Sequence, residues 1–238
     1  MSIASNIQQV QEQIAAACRR CGSAESDVAL MAVSKMHPAE AIAEACAAGL
    51  QFFGENRVQE WQQKQPVVSQ LAGGSARIQM HLIGPLQSNK TARAAELFDA
   101  IDTVDSLRIA TRLNQAAAEL KKKLPVLIEV KLSHEETKHG LAPEELPALL
   151  EQLQSLESLV PSGLMTVPPW SEDAEAARPY FRELRRLRDA SLAQYPALTQ
   201  LSMGMSNDFA VAIEEGSTCV RIGTAIFGKR QYPERPND

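Results

Sequence analysis

Short apolar runs alternate with amphipathic stretches along the whole chain. Eight runs read as strands: Val28–Ser34, Phe52–Glu55, Ile78–Ile83, Ala100–Val104, Pro125–Leu132, Gly163–Val167, Gln200–Met203 and Thr218–Ile222. Most are apolar at successive positions, the pattern of parallel strands covered on both faces. Helical spacing fills the gaps: Pro38–Ala48, Arg57–Gln70, Asn89–Leu97, Leu107–Leu120, Pro143–Leu159, Asp173–Leu192 and Asp208–Glu215. Ile3, Ile7, Val10 and Ile14 add a helix ahead of the first strand, running to about Arg20. Pro38 and Pro143 suit first helical turns, Ser106 and Ser171 suit N-caps, and Gly49 suits a C-terminal stop. Eight strands with intervening helices predict an α/β fold, a single (β/α)8 barrel with an extra N-terminal helix. No linker or charge block splits it, and Gly73-Gly74-Ser75 is only loop-sized. One domain is therefore expected over 1–238, with the first helix in 1–22 and a tail at 230–238.

The length of 238 residues suits that fold, which typically needs ~250. A net charge of −5 argues against a nucleic-acid or general polyanion binder. No apolar run approaches the ~20 residues of a membrane span. The start, Met1-Ser2-Ile3-Ala4-Ser5-Asn6-Ile7, lacks a signal-peptide pattern, and four unevenly spread cysteines read as reduced thiols. A cytoplasmic protein is expected.

In such a barrel, chemistry sits at the C-terminal ends of the strands. Lys35 and His37 stand after the first strand, Asn56 and Arg57 after the second, and His81 on the third. Lys131 stands on the fifth, and Ser206, Asn207 and Asp208 follow the seventh. Arg221 is the single charge in the last apolar run, with Gly223 and Thr224 beside it. A buried arginine is costly unless a partner meets it. Barrels commonly bind phosphate on the loops after strands seven and eight, which here carry Ser206-Asn207-Asp208 and Gly223-Thr224. Simple capping by Ser206 and Asn207 is the plainer alternative. Closure makes the first and last strands neighbours, bringing Lys35 and Arg221 together. By period-two counting Lys35 shares a face with Val33, Met31 and Ala29. An inward-facing lysine near an arginine is driven toward the neutral amine that imine chemistry needs. Lys131 competes for that role, and a structural ion pair with Glu129 or Glu55 is its alternative.

Other motifs do not carry a site. His134 and His139 are five apart rather than the four of a zincin helix. Cys18 and Cys21 lack a second ligand pair. Arg182, Arg185, Arg186 and Arg188, with Phe181, Leu184 and Leu187 interleaved, read as a solvated outer helix. The run Lys121–Lys123 suits a helix C-terminus.

Five segments together resemble the pyridoxal phosphate homeostasis proteins. They are Ala32-Val33-Ser34-Lys35, Phe53-Gly54-Glu55-Asn56-Arg57-Val58-Gln59-Glu60, His81-Leu82-Ile83-Gly84-Pro85-Leu86-Gln87-Ser88-Asn89-Lys90, Ser202–Asp208 and Arg221–Gly228. They run in order over nearly the whole chain. The resemblance implies a fold-type III barrel, similar to the N-terminal domain of bacterial alanine racemase. It implies that Lys35 holds pyridoxal 5′-phosphate as an aldimine, with Arg221 against the pyridine nitrogen. Ser206, Gly223 and Thr224 would take the phosphate, and Asn56, His81 and Met203 would lie around the ring.

An always-cationic Arg221 disfavours protonation of the ring nitrogen and weakens the cofactor as an electron sink. The racemase's second acid/base, a tyrosine from an additional β domain, is also not expected in a chain ending at Asp238. Tyr180, Tyr195 and Tyr232 lie in or near the last helices and the tail. The expectation is a cofactor carrier in vitamin B6 homeostasis without robust catalysis, passing its cargo to apoenzymes. The charge-rich surface permits a monomer. An amino-acid racemase-like enzyme is the alternative, and a cofactor-free class I aldolase using Lys131 a more distant one.

Overall fold

The computed structural model describes residues 2–72, 78–133, 135 and 139–229. The Gly73-Gly74-Ser75 loop, His134, residues 136–138, Tyr232 and the 230–238 tail lie outside the described residues. The strands are β1 (Ala29–Val33), β2 (Phe52–Glu55), β3 (Gln79–Leu82), β4 (Ala100–Val104), β5 (Leu124–Glu129), β6 (Leu159–Met165), β7 (Gln200–Met205) and β8 (Cys219–Ile222). All pair in parallel with their sequence neighbours, and β8 pairs with β1 to close the barrel. The closing register sets Met31 opposite Arg221 and Ala32 opposite Ile222.

Helix α1 (Ile3–Cys21) precedes the barrel. The helices around it are α2 (Ala39–Ala47), α3 (Val58–Leu71), α4 (Thr91–Leu97), α5 (Leu107–Glu119), α6 (Leu146–Leu153), α7 (Arg178–Ser191), α8 (Phe209–Glu214) and the short α9 (Thr224–Phe227). No described helix is long and apolar enough to cross a membrane.

Helix α1 forms as its pattern predicts. Ser2 caps it by accepting from the Ser5 amide, and Gly22 ends it with φ 74°. Its buried Ile7, Val10, Ile14 and Cys18 pack against the α8–α9 side of the shell. Asn6 donates to the Ile226 carbonyl at 2.8 Å, tying this helix to α9. Gly49 ends the α2 turn with φ 96°, a conformation glycine adopts without a Cβ penalty. Ser106 is the N-cap residue of α5, although its hydroxyl turns to Asp105. Ahead of α7 the cap is Asp173, and Ser171 supports it by accepting the Asp173 amide.

Several boundaries differ from the periodicity. The helical pattern from Pro143 stops at Leu153, because Leu159 already begins β6. The strand expected from Gly163 starts earlier, with Leu159, Val160, Pro161 and Ser162 already inside β6. A register shift against β5 falls at Ser162, directly after Pro161, which cannot donate to a ladder. Gly163 is required there, since a Cβ would stand 2.2 Å from the Gln200 carbonyl oxygen. Conversely β5 stops at Glu129. Val130 makes only an isolated bridge to Leu141, so Lys131 lies beyond the strand.

The basic stretch of α7 is an ion-paired outer face. Arg178 at its start donates to Glu175, to Glu214 at 2.8 Å and to Glu215 at 2.7 Å, so one guanidinium joins α7 to the end of α8. Arg178 and Arg20 hold the Glu214 carboxyl below its ordinary value. Burial pushes Glu215 up, but Arg178 and Arg182 outweigh it, leaving it lowered. The stability from such carboxylates is present above their ordinary value and is lost as pH falls through the folded one. Arg178→Gln should cost about 1 kcal/mol, or roughly 2–4 °C in Tm, at pH 7. Thermal unfolding against pH should show the gap to the parent protein closing below the ordinary carboxylate range.

Candidate functional site

The barrel interior is polar along its axis, while the outer shell is apolar. Buried His81, Asp102, Glu129, Ser202 and Arg221 are on that inner side, whereas buried Ser34 and Glu55 face the helix α3. Strand parity sorts them by level. On β1, Ala29 lines a cavity at the N-terminal mouth, whereas Val33 and Lys35 line a pocket of about 460 Å³ at the C-terminal mouth. The face-sharing of Ala29, Val33 and Lys35 read from the sequence is therefore the inward face.

Arg221 is the floor of the upper pocket and is 4% exposed. Its guanidinium donates to Ser202 Oγ at 2.8 Å and to the Thr166 carbonyl at 2.8 Å. Both acceptors are uncharged. Burial pulls its pKa down, and Asp102, Glu129 and Asp208 at longer range oppose that. A guanidinium has five donors, and these bonds use only part of that capacity. The arrangement leaves a desolvated cation directed by the strands toward a cavity.

Above Arg221, Lys35 enters from the turn after β1, and Asn56 from the end of β2. Ser206, Asn207 and Asp208 come from the turn after β7, and Gly223 and Thr224 from the start of α9. Asn56 Oδ1 is buried without a hydrogen-bond partner, so the pocket holds an unfilled acceptor. Gly223 packs on β1, where a Cβ would meet the Val33 oxygen at 3.3 Å. The Asp208 carboxylate folds back to accept the Met205 amide at 2.6 Å, so it braces the turn. Burial raises its pKa, against the pull of that amide and of Arg221. Asn207 donates to the Ser171 carbonyl at 2.9 Å and ties this turn to the loop after β6.

Of the eight residues that the resemblance assigns to the cofactor, six line one pocket: Lys35, Asn56, Ser206, Arg221, Gly223 and Thr224. Two do not. His81 points inward but one level too low. It lines the N-terminal cavity, 2.9 Å from Asp102 through Nδ1 and 3.0 Å from Gln79 through Nε2, and Ile83 takes its place at the upper level. Met203 has the wrong parity. Gln200 and Ser202 face inward, so Met203 faces outward and is wholly buried in the apolar shell.

Lys131, the competing lysine, is not among the residues lining this pocket, and its amide is spent on the Leu141 carbonyl. His139, from the loop after β5, does line it. The pattern reading passed over Trp170, Val167 and Glu129 as pocket residues, and gave no role to Ser202 and Thr166, which hold Arg221. The available signal was Trp170, a lone aromatic after Pro168-Pro169 just beyond the sixth strand, and it is 74% exposed.

Gly84 fixes the wall under Asn56. A Cβ there would lie 2.3 Å from the Asn56 carbonyl oxygen and 2.8 Å from its Cα. Backbone cannot yield cheaply, so Gly84→Ala should destabilise the fold by about 1–3 kcal/mol. Urea unfolding of the variant, with a lower midpoint and unchanged slope, checks this.

Comparison with known proteins places this architecture among relatives. The family model described as the alanine racemase N-terminal domain matches residues 4–231. A curated relative from Vibrio cholerae is 45% identical over 231 residues, covering 97% of this chain and 98% of its own length. One from Escherichia coli is 46% identical over 241 residues, covering 98% and 99%. Both are named pyridoxal phosphate homeostasis protein. The structure of PipY from Synechococcus elongatus with PLP bound superposes with a TM-score of 0.84 at 39% identity, covering 95% of this chain and all of that one. An alanine racemase from Clostridium difficile shares the fold, with a TM-score of 0.65 at 15% identity over 57% of its chain.

Proposed function

Because the chain belongs to the pyridoxal phosphate homeostasis protein family, we propose that it binds pyridoxal 5′-phosphate in the upper pocket and works as a carrier of that cofactor. The observation carrying this reading is the meeting of Lys35 with the buried Arg221 in one pocket that also presents Ser206, Gly223 and Thr224. The residues fit the group. An anionic, aromatic ligand with a ring acceptor satisfies a desolvated cation whose bonds go only to neutral oxygens. The unpartnered Asn56 oxygen offers an acceptor for a donor on the ring. When bound, the cofactor supplies a reactive aldehyde and an electron-accepting ring.

Lys35 supplies the amine for the aldehyde. Arg221 is assigned to the ring nitrogen, and Gly223, Thr224 and Ser206 to the phosphate. Lysine and arginine thus grip opposite ends of one molecule. Arg221 stays cationic and gives the ring nitrogen no proton, which favours holding over carbanion chemistry. Among the described residues, neither Tyr180 nor Tyr195 lines the pocket, and Tyr195 accepts from Gln154 at 3.2 Å on the outer side. This supports a carrier over a racemase-like catalyst. PLP-dependent apoenzymes are the recipients in this reading. The four free cysteines suit the cytoplasm, and the ion-paired outer face of α7 suits a monomer.

The parent protein incubated with pyridoxal 5′-phosphate should gain visible absorption, and borohydride reduction should fix the label on Lys35. Lys35→Ala should show neither, and only the loaded parent should reactivate a cofactor-stripped PLP-dependent apoenzyme. A label on Lys131, or none, would sink the assignment. Arg221→Ala should weaken cofactor binding roughly ten- to a hundredfold and shift the band. Its circular dichroism should match the parent, because the lost charge is itself costly to bury.

A further inference from the structure

The Lys35 turn is held from behind by a charged bracket on α3. Met36, next to Lys35, has φ 62°, one of two described non-glycine residues with positive φ. That conformation is disfavoured for any residue with a Cβ. The Met36 side chain is 43% exposed, so its packing does not explain the conformation. Its amide does: it donates to Glu60 Oε1 at 2.5 Å. Lys64 completes the bracket. Its ammonium donates to Glu60 Oε1 at 2.6 Å, to Glu55 Oε1 at 2.8 Å and to the Ser34 carbonyl at 2.9 Å, using all three of its protons. Ser34 donates its hydroxyl to the same Glu55 oxygen at 2.8 Å, and its carbonyl also accepts the His37 amide at 3.1 Å. The residues before and after Lys35 are both bound to the Lys64–Glu60–Glu55 group.

This group is more than a surface ion pair. The Glu55 side chain is fully buried and that of Lys64 is 12% exposed. Burial raises the Glu55 pKa, and Lys64 opposes the shift. A buried charged cluster is expensive to assemble unless geometry rewards it. Here the reward is a turn that the local sequence disfavours, placed where Lys35 enters the pocket.

We propose that Lys64, with Glu60 and Glu55, is a positioning residue that holds the Lys35 turn in its left-handed conformation. The bracket sets how readily Lys35 takes up the cofactor, touching neither cofactor nor pocket itself. This rests on the reading of Lys35 as the cofactor-binding amine, so one of the two measurements is made without cofactor. Lys64→Met removes the ammonium but keeps the stem, and Glu60→Ala removes the acceptor of the Met36 amide at a more exposed position. In the cofactor-free protein, both should speed hydrogen exchange at the Met36 amide by about tenfold or more. With pyridoxal 5′-phosphate added, both should slow covalent labelling of Lys35 by roughly ten- to a hundredfold. Met36→Gly in the Lys64→Met background should recover part of that rate, because glycine takes positive φ without a steric penalty. A purely structural loss would not respond to it. Exchange at Met36 unchanged in folded Lys64→Met and Glu60→Ala would overturn the proposal, and so would parental labelling rates or failure of Met36→Gly to recover any. Absence of labelling in the parent would instead overturn the cofactor assignment, and the exchange measurement would still decide the bracket.

Discussion

A buried guanidinium held, among the described residues, by neutral oxygens is the constraint around which this molecule is arranged. Arg221 is anchored by Ser202 on β7 and by the Thr166 carbonyl beyond β6. Those bonds fix its direction without cancelling its charge. The neighbouring acids, Asp102, Glu129 and Asp208, act on it through space. A cation in this position is tolerable because the barrel axis is polar, and it gains most when an acceptor arrives from the open side. The pocket above it, lined by Lys35, Asn56, Ser206 and the start of α9, is where such an acceptor enters.

Inward-facing side chains occupy two levels, and the levels do different work. The lower one pairs His81 with Asp102 and opens toward the strand starts. The upper one collects residues from the strand ends and following turns, the usual working face of this fold. Between the levels the apolar load is carried outside the barrel, where Val220, Ile222 and Met203 face the helices. The helices contribute more than cover. Helix α3 reaches back through Lys64 and Glu60 to the turn carrying Lys35, and α1 is tied through Asn6 to the helix that follows Gly223.

Holding a reactive aldehyde and catalysing with it make opposite demands on the ring nitrogen. A carboxylate partner would keep that nitrogen protonated and the ring electron-poor. An arginine removes that advantage while still supplying a strong directional contact. On the proposed reading, Lys35 and Arg221 would hold the cargo at opposite ends for exchange with another amine.

The pattern of apolar runs was enough to determine the barrel, since burial on both faces writes itself into eight successive segments, and β2 and β4 coincide with their runs. Closure of β8 on β1 follows from the same count of strands and brings Lys35 and Arg221 to one pocket. Level and parity were not legible. His81 and Met203 belong to the right motifs, but inward direction and height depend on register and on how far each strand runs, which β7 extends to Met205. Pro161 hid the start of β6 because local propensity marks it as a breaker, while the bulge directly after it, at Ser162, exists only against β5. The partners of Arg221 and the bracket around Met36 are likewise tertiary facts. Hydrogen bonds between residues tens of positions apart leave no period in a chain, so only the closed fold decides which donors and acceptors meet.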